Sequence, residues 1–150
     1  MKNRNLPSRD DWATPKNLLN HLESEFGKMF DPCPINPKFD GLKIKWPKDK
    51  TIFVNPPYSR KLKEAFIEKA HEEWTNGCEV VMLLPVSTST KVFHLYIYNI
   101  AEIRFLKGRV KFKGINTKGR KVDNKCGMHD SMIVIYHKQS EVTKGDSSQS

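Results

Sequence analysis

The stretch "EVVMLLP", Glu79 to Pro85, constrains the chain most. In an extended strand successive side chains point to opposite faces, so an unbroken apolar run has to be covered on both. Strands of that kind belong to parallel sheets, where crossover helices lie on the two faces. The rest of the chain supplies partners. "TIFVN" (51–55) reads as a second buried strand and "KMFD" (28–31) as a short one, with "AEIRFL" (101–106), "RVKFK" (109–113) and "SMIVIYH" (131–137) further on. Helical patterns separate them. After Thr14-Pro15, an N-cap followed by a first-turn proline, Leu18, Leu22 and Phe26 recur at a spacing of four until Gly27. Ser59 is placed to cap a helix over about 60–75 whose apolar face is Leu62, Ala65, Phe66, Ala70 and Trp74, stopped by Asn76-Gly77. A third helix is expected over about 89–99. Helices alternating with buried strands predict an α/β fold with a mainly parallel central sheet, the last strands adding an antiparallel edge.

The 150 residues suit one domain. We expect it to occupy residues 1–138, with 139–150, rich in Ser, Lys and Gln, as a disordered tail. A chain of this length buries roughly 68–70% of its unfolded surface, so neither a disulfide nor a metal is required for folding. Cys33, Cys78 and Cys126 are odd in number and widely spaced, which fits a reducing compartment better than a disulfide framework. Cys126 and His129 form half a zinc-site spacing with no second half, so no metal is expected. No run approaches 18 apolar residues and the first ten residues hold no apolar core, so neither a transmembrane helix nor a secretory signal is expected.

In sheets of this kind ligands bind beyond the carboxyl ends of the strands. That places Asp31, Asn55 and Pro85 on one rim. The motif there is "VNPPYS", Val54 to Ser59. Two consecutive prolines end the strand and fix the backbone. The result is either a stiff turn or a device that holds a carboxamide, a carbonyl and a ring against a ligand. The second reading has a definite chemistry. An exocyclic base amine is a poor nucleophile because its lone pair is delocalised into the ring. The Asn55 side-chain oxygen and the Pro56 carbonyl can accept its two N–H groups and stabilise positive charge developing on nitrogen. Tyr58 can stack on the base, which has to leave the duplex to reach such a pocket.

The net charge is +9, and the segment 104–125 carries nine Lys/Arg against one Asp. Almost the whole excess therefore sits in one place. It reads either as a solvated loop between edge strands or as an arm that contacts DNA phosphates through Arg109, Lys111, Lys113, Lys118, Arg120 and Lys121.

The four residues Asn55, Pro56, Pro57 and Tyr58 resemble the catalytic motif of amino-directed S-adenosylmethionine methyltransferases. The succession "DDWATPKNLLNHLESEFG", "FDPCPIN", "DGLKIKW", "IFVNPPYS", "EVVMLLPVSTSTKVFH" and "AEIRFLKGRVKF" resembles the phage-encoded N6-adenine DNA methyltransferase (Dam-like) family, from about Asp10 to Tyr136. The resemblance implies a compact, trimmed methyltransferase fold of the Rossmann-like kind that uses S-adenosylmethionine and acts on DNA in the cytoplasm of a bacterial host. It implies that Asn55, Pro56, Pro57 and Tyr58 hold and stack the target base. It also implies that Trp12, Thr14 and Pro15 close over the cofactor's methionine end and that Asp31, Pro32 and Cys33 line its pocket. Asp40 matches an acidic position that reaches the cofactor or the base. One departure stands out: "DPCPIN" lacks a Gly-x-Gly turn, and only 23 residues separate Asp31 from Asn55. Three other readings stay open at this point: N4-cytosine as the target, glutamine amides of proteins as the target, and a DNA-binding module without activity. A monomer or at most a weak homodimer is expected, and protection from restriction is a natural use.

Overall fold

Val80, Met82 and Leu84 pack into one buried cluster and Val81 and Leu83 into a second, so the strand that carries them is covered on both faces. The computed structural model describes residues 13–34, 37–115, 121–126 and 130–139, the segments 112–115 and 121–126 by their backbone alone. In chain order the elements are α1 (Lys16–Phe26), β1 (Met29–Phe30), β2 (Thr51–Val54), α2 (Arg60–Thr75), β3 (Val80–Pro85), α3 (Lys91–Tyr96), β4 (Glu102–Phe105), β5 (Lys111–Ile115), β6 (Lys121–Cys126) and β7 (Ser131–Tyr136).

The main sheet has the order β1-β2-β3-β7-β4. β1, β2 and β3 run parallel, while β7 is antiparallel to both of its neighbours, β3 and β4. The sheet is therefore mixed. Two of the late strands do add an antiparallel margin, but not in chain order: β7, with all six residues buried, lies inside the sheet, and β4 forms the edge. The physical reason is hydrophobic. "SMIVIY" is as apolar as β3 and needs cover on both faces, whereas "EIRF" offers polar groups suited to a margin. Met132, Val134 and Tyr136 join Ile52, Val54 and the α2–α3 side; Ile133 and Ile135 join Phe53 and Leu22 of α1 on the other. The result is a sheet between α2 and α3 on one side and α1 on the other.

α2 occupies the expected span, but its buried face is Phe66, Ile67, Ala70 and Glu73, with Leu62 43% exposed. Glu73 is buried in an ion pair with Lys69 at 2.8 Å. α3 is shorter than expected: the chain turns at Ile97–Ile100, and Asn99 takes φ 63, a left-handed conformation that Asn tolerates better than most residues. "RVKFK" does not join the main sheet. It contributes β5 to a separate two-stranded antiparallel sheet with β6, a strand in "KVDNKC" that the sequence pattern had not signalled.

The parallel pair β1–β2 is joined by residues 31–50, and the described residues of that connection form no helix. A parallel connection needs a dozen residues or more and is usually helical. Here Trp46 takes the packing role of the helix. It is 2% exposed, packs with Phe66 and Ala70, and donates Nε1–H to the Gly41 carbonyl at 2.9 Å. The same turn lies tight against the segment after β1: a Cβ at Gly41 would sit 1.8 Å from the Pro32 carbonyl oxygen.

Candidate active site

Because β1 and β2 are parallel neighbours in register from Met29–Thr51 to Phe30–Ile52, the residues that follow them emerge on one rim. A cavity of about 300 Å³ opens there, and Thr14, Asp31, Cys33 and Asn55 line it. Four of the expected site residues, from three separate segments, thus meet. Pro85 does not join them. It borders a smaller apolar recess of about 170 Å³ between α2 and α3, floored by Ile67, Leu84 and Phe93.

Asn55 leaves a fully buried strand, and its Nδ2 donates to the Thr14 hydroxyl at 3.0 Å. Thr14 had been expected to cap α1. Instead Pro15 occupies the cap position with no side-chain capping bond, and the Thr14 hydroxyl serves Asn55. This bond engages the nitrogen end of the carboxamide, so its orientation is tied to Thr14. Pro56 and Pro57 are buried behind it. Tyr58 stands at the margin, with 37% of its surface exposed, and burial of the rest pushes its phenol up to about 12.

Asp31 is placed where a carboxylate is costly. Burial pushes its pKa up to about 6, opposed by the Cys33 backbone N–H, which donates to Oδ1 at 2.8 Å. That hydrogen bond closes the turn that starts Asp31-Pro32-Cys33, and it explains why no Gly-x-Gly is present: the aspartate side chain orders the loop. Pro32 is buried against Gly41.

Other expected residues fall elsewhere. Asp40 is exposed and stabilises its own turn, its carboxylate accepting from Leu42 N–H at 3.0 Å and its carbonyl from Lys43 N–H at 2.9 Å. Pro15 borders a neighbouring recess. Trp12 lies outside the described residues, as do Lys118, Arg120, His129 and the tail from residue 140. Lys113 and Lys121 lie on β5 and β6. Arg109 stands 3.5 Å from Asp130, both well exposed. Arg104, the first cation of the basic segment, is neutralised within the fold: it binds Glu25 of α1 through two 2.7 Å contacts and Glu102 through one of 2.6 Å. Those bonds hold both carboxyls below the usual range.

Glu23 and Phe53 also line the cavity and had not been expected there, and so does Leu19, whose place beside Leu18 and Leu22 widens the apolar stripe of α1. Leu19 and Glu23 are four apart on α1, a spacing that puts them on one face. Once Leu19 is read as core-facing, Glu23 follows it to the cavity. The cavity therefore presents two carboxylates, Glu23 and Asp31, and one carboxamide. That donor set suits a ligand carrying positive charge and hydroxyl groups. Among the described residues no group of three or more His, Cys, Asp or Glu is arranged to hold a metal ion, and no helix is long and apolar enough to cross a membrane.

Comparison with known proteins gives a consistent picture. The family described as DNA N-6-adenine-methyltransferase (Dam) matches residues 2–148. A DNA N-6-adenine-methyltransferase of Escherichia phage T1 is 34% identical across 71% of this chain and 49% of the relative. A DNA N-6-adenine-methyltransferase of Haemophilus phage HP1 is 30% identical across 89% of this chain and 82% of the relative. The chain thus spans about half the length of the first relative and most of the second.

Proposed function

The chain belongs to the DNA N-6-adenine-methyltransferase (Dam) family, and from that premise we propose that it transfers a methyl group from S-adenosylmethionine to the N6 amine of adenine in DNA, on a Rossmann-like methyltransferase fold in residues 1–138. One observation carries the reading: Asn55, at the end of a buried strand, shares a cavity with Asp31, Glu23 and Thr14.

S-adenosylmethionine supplies an electrophilic methyl group on a sulfonium, and its ammonium and ribose hydroxyls match the two carboxylates. Asp31 and Glu23 hold that end of the cavity, with Cys33 and Phe53 as walls. At neutral pH Asp31 is mostly ionised, its pKa of about 6 lying below the ambient value, and so accepts hydrogen bonds. Asn55 accepts one N–H of the adenine amine through Oδ1, and the Pro56 carbonyl accepts the other. Both dipoles would favour the charge that grows on nitrogen as it bonds to the methyl carbon while the sulfonium's S–CH3 bond breaks, its electron pair returning to sulfur as a neutral thioether. A carboxamide is not a base at this pH, so the amine's proton leaves to solvent at the open rim. Tyr58 stacks on the extruded base and offsets part of the unstacking cost.

The test uses tritiated S-adenosylmethionine with adenine-containing DNA, followed by nucleoside analysis. Label in N6-methyl-deoxyadenosine is the expected result. Label in N4-methyl-deoxycytidine, or in protein glutamine, would overturn the assignment of the acceptor.

A further inference from the structure

Immediately beside the reaction cavity lies a second, larger recess of about 570 Å³, between the start of α1 and the segment that joins β4 to β5. Its described lining includes four cations, Lys16, Lys107, Arg109 and Lys111, together with Asn17, and no carboxylate. One of the cations, Lys16, which opens α1, comes from outside the 104–125 segment first read as a DNA arm; Lys107, which follows β4, lies in that segment but was not among the residues named for phosphate contact. Val110 is buried beneath them. The first turn of α1 adds to the positive field, since it holds no acidic residue and Pro15 makes no capping bond. Asp130 offsets only Arg109, across 3.5 Å between exposed groups, an arrangement worth little in water.

We propose that this recess is a phosphodiester-binding groove that seats the DNA strand next to the nucleotide delivered to Asn55. The inference rests on the reading of DNA as substrate. Three observations join to support it. Like charges gathered in a recess repel one another, and a polyanion relieves that repulsion. The groove and the cavity are divided only by consecutive residues: Thr14 lines the cavity and bonds to Asn55, while Pro15 and Lys16 line the groove. A strand whose base enters the cavity therefore runs its backbone past Lys16. The groove also has walls on two sides, α1 and the β4–β5 segment, so it fixes a direction for the strand, which a flat basic patch does not. Phosphate contacts of this sort set register and carry no base sequence.

The experiment compares the wild type with the double variant Lys16→Gln/Lys107→Gln, neither residue having been assigned to the methyl-transfer cavity. DNA affinity is read by fluorescence anisotropy over 50–200 mM salt on a duplex oligonucleotide. The expected result is a log–log salt slope reduced by about 1.8, from two phosphate contacts at about 0.9 each, with S-adenosylmethionine affinity unchanged. An unchanged slope overturns the groove, as does a wild type that binds no DNA. Binding of polyglutamate that depends on Lys16 and Lys107, at an unchanged DNA slope, would make it a protein-docking surface and overturns it as well. Methyl transfer is scored separately. A wild type that binds DNA with the larger slope but transfers no methyl supports the groove and refutes the reaction, whereas full transfer with an unchanged slope in the variant does the reverse.

Discussion

Gly41→Ala tests how the cavity wall is held. A methyl group at this position falls 1.8 Å from the Pro32 carbonyl oxygen and 3.3 Å from the Phe66 ring, and contacts under 3.0 Å are essentially never found for a real Cβ. Pro32 is buried and its carbonyl is backbone, so no rotamer change relieves the clash. The two segments have to separate until the contact grows from 1.8 Å to at least 3.0 Å. Overpacking of this kind costs about 1–3 kcal/mol, and a rigid partner places it at the upper end. The separation also strains the bond from Trp46 Nε1 to the Gly41 carbonyl, worth about 1 kcal/mol more. A total of about 4 kcal/mol, at about 2–4 °C per kcal/mol for a chain of this size, lowers Tm by roughly 10 °C. Circular dichroism melts measure it, with Gly27→Ala as control, because a Cβ at Gly27 meets nothing within 4 Å and suffers only from its φ of 80. A Gly41→Ala melt within about 2 °C of the wild type, or above that of the control, would refute the argument.

Asn55→Ala removes the amine's side-chain acceptor and should lower turnover by at least about 10²-fold, roughly 2.7 kcal/mol of barrier, with DNA affinity nearly unchanged; near-normal turnover would defeat the mechanism. Thr14→Val deletes the 3.0 Å bond to Asn55 and should reduce kcat about tenfold, the equivalent of about 1.4 kcal/mol, with KM unmoved and with Thr14→Ser restoring most of the rate. Equal kcat in the Val variant would show that the bond positions nothing. For Asp31 the sign follows from a pKa raised by burial to about 6. Its stabilising share is present below the unfolded value near 3.8 and is lost as pH rises through about 6. Asp31→Asn, which keeps an acceptor for Cys33 N–H, should therefore melt higher than the wild type at pH 8 by up to a few kcal/mol. That gap should close as pH falls below about 6, and a pH-independent difference would be contrary evidence.

The parts of the fold that the sequence disclosed are those set by short-range pattern. "EVVMLLP" could only be a strand covered twice, and Leu18, Leu22 and Phe26 could only be one face of a helix. The rim followed from strand direction, which is why Asp31 and Asn55 could be expected to meet. What stayed hidden depends on contacts between distant segments. Thr14 looked like a helix cap because capping is the common local use of its hydroxyl, and nothing near it announces a partner 41 residues away. Trp46 stood in an unremarkable polar stretch, yet it replaces a crossover helix. The late strands could be read as an antiparallel margin from their short loops, but their order could not: that β7 lies inside and β4 outside follows from which of them needs cover on both faces. Arg104 counted as free charge until Glu25, on another element, was found opposite it.

The two-residue strand β1 has one neighbour, while β2 is flanked on both sides and buried throughout. The wall that carries Asp31 and Cys33 therefore leans on a single strand neighbour and on the packing of Pro32 against Gly41, whereas Asn55 follows a strand held from both sides. A ligand that touched Asp31 and Asn55 together would tie the sheet's shortest strand to its interior.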